Sequence, residues 1–112
     1  MKDKKGDGAM VVYNKLIRDK IPEIIRNHGK ECEVRILNDE EYLKELNKKL
    51  GEELNEYYES GEVEELADIA EIIYAIAEHK GVGREEFEKI RGCKREERGG
   101  FEKRVFLVGV SE

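Results

Sequence analysis

The chain has 112 residues, 43% of them charged and 38% hydrophobic, and its 27 acidic against 21 basic side chains give a net charge of -6. That balance argues against a binder of nucleic acid polymers, which needs a basic surface to meet phosphate. No apolar run approaches the roughly 18 residues of a membrane span, and Cys32 and Cys93 stand too far apart for a CxxC motif, so a reduced, cytoplasmic protein with no membrane partner is expected.

Residues 1–10 are polar and glycine-containing and read as a disordered tail. Residues 11–112 read as one helical domain, beginning with a short extended piece at Val11, Val12 and Tyr13. In the stretch that follows, Asp19 is the expected N-cap of a short helix, with Pro22 in the first turn, Ile21, Ile24 and Ile25 on its apolar face, and Gly29 at its end. Residues 31–37 alternate, with Cys32, Val34 and Ile36 on one side and Glu31, Glu33 and Arg35 on the other, which is a signal for a strand or an extended segment.

Asn38 followed three residues later by Glu41 predicts a capping box opening a long helix that runs to about Glu59. Gly61 separates it from a helix over residues 63–79, which ends before Gly81. A third, very polar helix is expected from Arg84 to about Glu97, broken by Gly99 and Gly100. Val105, Phe106, Leu107, Val108 and Val110 read as a terminal strand, with residues 11–17 or 32–37 as its candidate partners. The fold class expected is mainly α, a helical bundle with short extended segments near both ends.

The stretch over residues 52–68 carries the chemistry. Glu53 and Glu56 stand three apart on one helix, Glu65 and Asp68 three apart on the next, and an i,i+3 pair shares one side of a helix. At about 100° per residue, Leu43, Leu46, Leu50, Leu54 and Tyr57 form an apolar arc, with Glu53 roughly 50° from its centre and Glu56 at its border. On the second helix Glu65 lies inside a wide apolar arc, seven residues before Ile72, and Asp68 lies at its edge. Glu64, Glu71 and Glu78 form a separate stripe of ordinary solvent-facing charge.

Two carboxylates about 5 Å apart repel by roughly 3 kcal/mol at an effective dielectric of 20. Four half-buried ones either take up protons or bind a cation. All-oxygen donors suit a hard divalent ion, so Mg²⁺ or Mn²⁺ is expected. A di-iron centre would need Glu three residues before a histidine, and neither His28 nor His79 has it. Lys15, Arg18 and Lys20 before the first helix, and Lys94, Arg95 and Arg98 at the end of the third long one, are candidates for phosphate contacts. No glycine-rich phosphate loop is present.

The segments KLGEELNE and EELADIAEIIYAIA resemble the EExxE…ExxD pattern of the all-α nucleoside triphosphate pyrophosphohydrolases, the superfamily of MazG, the dimeric dUTPases and the phosphoribosyl-ATP pyrophosphohydrolases. The opening KLIRDKIPEII and the ending RGGFEKRVFL resemble a small MazG-like, phosphoribosyl-ATP pyrophosphohydrolase-like subgroup. The resemblance implies a bundle whose core is completed by dimerisation or tetramerisation. It implies Mg²⁺-dependent cleavage of a nucleotide between its α and β phosphates, giving a monophosphate and pyrophosphate. It assigns Glu53, Glu56, Glu65 and Asp68 to the metal, Glu52 and Glu53 to catalysis, and Lys15, Arg18 and Lys20 to the substrate, with Arg98 a further substrate candidate from its place at the end of its helix. Hydrolysis of phosphoribosyl-ATP in histidine biosynthesis, and a non-enzymatic helical oligomerisation or regulatory module, stand as the alternative readings.

Overall fold

A computed structural model describes residues 10–112. The tail expected at residues 1–10 therefore lies, apart from Met10, outside the described residues. The described residues contain four helices and no strand: α1 (Ile21–Asn27), α2 (Asp39–Ser60), α3 (Val63–His79) and α4 (Arg84–Arg98). None of them is long and apolar enough to cross a membrane. Two compact units divide between Ile72 and Ile73, so α3 contributes to both.

The long helices begin and end where local chemistry dictates. Asn38 caps α2: its side-chain oxygen accepts from the Glu41 backbone N–H at 2.9 Å, and the Glu41 carboxylate accepts from the Asn38 N–H at 3.3 Å. Arg35 adds a fork of hydrogen bonds to the same carboxylate, at 3.2 and 3.0 Å. This arrangement ties the preceding loop to the first turn of α2 and uses two backbone and two guanidinium donors that would otherwise face water. At the other end Gly61 takes φ 68°, ψ 13°, and its N–H donates to the Tyr57 carbonyl at 2.7 Å. That left-handed stop disfavours a residue with a Cβ, and it lets α3 begin two residues later.

In the first unit the core gathers on α2 and α3. Leu46 is only 3% exposed, and Ile69 and Ile72 are buried with it. Leu43, Leu50, Leu54 and Tyr57 are partly covered, in keeping with the arc read from their spacing. The first turn of α3 departs from that pattern, because Val63 is 72% exposed and Leu66 is also exposed. In the second unit Tyr74 packs edge-on against Phe87, and the Arg84 guanidinium stacks over the Tyr74 ring 3.7 Å from its centroid. These contacts join the second half of α3 to α4.

Three local expectations fail. The N-cap of α1 is Lys20, not Asp19, and it makes no side-chain cap hydrogen bond. The chain instead turns into the helix through an Ile21 N–H bond to the Arg18 carbonyl at 3.1 Å. Of the two readings of the alternating segment at 31–37, the strand fails: Cys32 is half-buried, but Ile36 is 93% exposed. The terminal apolar run forms none either, and Val105, Phe106, Leu107, Val108 and Val110 are all exposed. Alternation shows that a segment suits one face of a sheet, but a strand also needs a neighbour to pair with.

Candidate metal centre

Glu53 lies more than halfway along α2 and Glu65 and Asp68 lie in the first two turns of α3, on either side of the Gly61 turn. The three carboxylates each offer one oxygen, and these oxygens lie within 4.8 Å of one another. Oxygen ligands of one small divalent ion lie about 3 to 4 Å apart, so the three carboxylates would draw together somewhat around a shared ion. Glu53 is the most enclosed of them, at 9% exposed, and it is the one charged residue counted in the core among the described residues. Glu65 Oε2 is buried and has no hydrogen-bond partner.

The electrostatics follow from that crowding. Burial pushes the Glu53 carboxyl up to about 7, with further upward contributions from a hydrogen bond to Glu56, the Glu56 charge and the Asp68 charge. The Lys49 ammonium, one turn earlier on α2, pulls it the other way. Burial also raises Glu65, followed by the charges of Glu56 and Asp68. Glu56 itself is exposed and falls outside the trio, but its influence on both Glu53 and Glu65 puts it at the border of the group.

Asp68 is held from a different part of the chain. Arg18 Nη2 donates to Asp68 Oδ1 at 2.7 Å across fifty residues of sequence. Sequence reasoning assigned Arg18 to a substrate phosphate and missed this contact. Nothing local announces it, since the pairing depends on where the segment before α1 comes to rest. Sequence reasoning also missed Lys49, although its i,i+4 spacing from Glu53 is a legible signal.

None of the remaining candidates belongs to the trio. Glu52 is half-buried on α2 and is not one of the three. The Lys15 ammonium sits over the Tyr13 ring, 5.5 Å from its centroid. Lys20 caps α1 and is exposed, and Arg98 ends α4 in the second unit.

A protein of Mycolicibacterium smegmatis described as uncharacterised is 49% identical to this chain over 41 residues, which are 37% of this chain and 42% of the other. The match thus spans less than half of that relative's length. No family model matches the chain, and no solved structure does.

Proposed function

We propose that the protein is a Mg²⁺- or Mn²⁺-dependent nucleotide pyrophosphohydrolase of the MazG-like, all-α kind. It cleaves the α–β phosphoanhydride of an NTP, dNTP or modified nucleotide and releases a monophosphate and pyrophosphate. The observation that carries this reading is the approach of Glu53, Glu65 and Asp68 to within 4.8 Å of one another on a helical hairpin.

The donor set fits a hard divalent cation. All three groups are carboxylates, Glu65 Oε2 is buried without a partner, and Glu53 is held near neutrality by burial. A cluster short of positive charge in this way is the expected resting state of such a site. When bound, the cation supplies charge neutralisation for the phosphates and polarises the anhydride. Glu53, Glu65 and Asp68 hold it, with Glu56 beside them. A carboxylate beside the cation can orient or deprotonate the attacking water, a role open to Glu52 or Glu53 on α2. Water adds to phosphorus, the α–β bridging bond breaks, and pyrophosphate leaves. The exposed Lys15 and Lys20 are available to phosphate oxygens. The bare apolar side chains of Val63 and Leu66 at the start of α3 support association of copies into a homodimer or homotetramer.

The test is pyrophosphate release from a panel of nucleotides, phosphoribosyl-ATP included, with Mg²⁺ or Mn²⁺ present. Activity should fall by about a hundredfold or more in Glu53→Gln and Asp68→Asn, as for loss of a group that acts on the transition state. A panel that is inert throughout, or variants that turn over like the parent, would overturn the reading.

A further inference from the structure

Asp68 differs from the other two carboxylates of the trio in having a cation from the same chain already on it. Arg18 reaches it with a hydrogen bond of 2.7 Å. The backbone at Arg18 is fixed, because its carbonyl accepts the Ile21 N–H that turns the chain into α1. The side chain is not enclosed: its exposure is 55%, against 38% for Asp68. An anchored base with a long, half-exposed side chain can let go of one anion and reach for another nearby.

The charge on this cluster gives it a reason to do so. One guanidinium cannot serve three converging carboxylates, and Glu65 Oε2 is left buried with no partner. A divalent ion placed among the three oxygens would meet all of them, and it would repel a guanidinium on the same aspartate. The freed guanidinium is a planar fork of donors that matches phosphate oxygens in pairs.

We propose that Arg18 is an exchangeable internal counterion, which holds Asp68 until a divalent cation takes its place and then turns to the polyphosphate of the nucleotide. The exchange rests on reading Glu53, Glu65 and Asp68 as the cation's ligands. It makes substrate capture follow cation loading, because the arginine is committed to Asp68 beforehand. A static bridge, with Arg18 on one oxygen of Asp68 and the metal on the other, predicts the opposite sign. There Arg18 would orient the ligand, and its loss would weaken the metal.

The sign is measurable on the full chain by calorimetric titration with Mn²⁺ alone, comparing the parent, Arg18→Gln and Glu65→Gln. Arg18→Gln should bind Mn²⁺ about fivefold more tightly, the scale set by a part-exposed ion pair. With Mn²⁺ saturating, the same variant should bind an α,β-methylene nucleoside triphosphate roughly tenfold more weakly, the cost of a lost charged hydrogen bond. Arg18→Lys, which keeps the charge and loses the fork, should recover most of the parent's Mn²⁺ affinity and less of its analogue affinity. If Arg18→Gln binds Mn²⁺ no more tightly than the parent, or keeps full affinity for the analogue, the exchange is wrong. If that happens while Glu65→Gln loses Mn²⁺, the metal site stands and only the exchange falls. If the parent itself binds no Mn²⁺, both fall together.

Discussion

Glu53 and Glu65 come from different helices, yet each places a carboxylate oxygen within 4.8 Å of the other's, with Asp68 completing the group. Such an approach costs stability when both groups are ionised, and a bound cation reverses the sign. Mg²⁺ or Mn²⁺ at 100 times its dissociation constant should therefore stabilise the fold by about 2.7 kcal/mol. Glu53→Gln should abolish that response and make the metal-free protein more stable at pH 8, by roughly 1–3 kcal/mol. Thermal unfolding of both proteins, with and without the ion, checks both halves. A parent whose melting temperature ignores the ion would refute the shared-ligand geometry.

The pH dependence follows from the same crowding. Glu53 titrates near 7 in the folded chain against an ordinary value of 4.5, because burial disfavours its ionised form. Between those values the folded chain keeps a proton that the unfolded chain has released. Its contribution to stability is thus full below 4.5 and is lost as pH rises through about 7. Glu65 is raised too and acts in the same direction. Glu41 is lowered, through its hydrogen bond to Arg35, and its contribution disappears on the acid side, below the ordinary carboxylate range. Metal-free stability should accordingly peak in mildly acidic solution and decline toward pH 8, while affinity for Mg²⁺ climbs with pH and levels off above about 7. Melting curves from pH 4 to 8, with and without Mg²⁺, would show the two trends. A metal-free protein equally stable at pH 5 and pH 8 would count against the enclosed position of Glu53.

Leu46 holds α2 in the core of the first unit at 3% exposure, in a set of buried apolar side chains that otherwise comprises Ile69 and Ile72 among the described residues. With so few fully covered side chains, each should matter. Leu46→Ala should cost about 2–5 kcal/mol, read as a lower denaturation midpoint at unchanged slope. A loss under 1 kcal/mol would mean that the site collapses around the gap.

What was legible in the sequence was the helical hairpin. Asn38 with Glu41, and Gly61, carry their own geometry in their side chains or lack of them, and both ends of α2 fall where those residues place them. The i,i+3 spacing of the acidic pairs, set against the apolar arcs, put Glu53 and Glu65 on inward faces for the same reason. The two extended segments were not legible, because the alternation around Val34 and Ile36 describes one partner in a sheet that the described residues do not supply. The Arg18–Asp68 pair was illegible too, since fifty residues separate its members and no periodicity links them.

The turn at Gly61 links stability to site geometry in a way that can be separated experimentally. Its φ of 68° is left-handed, and a Cβ built there meets no atom within 4 Å. Gly61→Ala should thus suffer only from backbone conformation, at roughly 1–2 kcal/mol, and keep its Mn²⁺ affinity, since the paths of α2 and α3 are unchanged. Inserting one residue after Gly61 should act on the site as well. It displaces Glu65 and Asp68 relative to Glu53, and the buried Ile69 and Ile72 relative to Leu46 with them, so stability falls along with metal affinity. Calorimetric Mn²⁺ titration should then show affinity reduced by roughly tenfold or more, since ligands must sit within about 0.5 Å of their productive positions. Equal Mn²⁺ affinity in the insertion variant would mean that the hairpin does not set the ligand spacing.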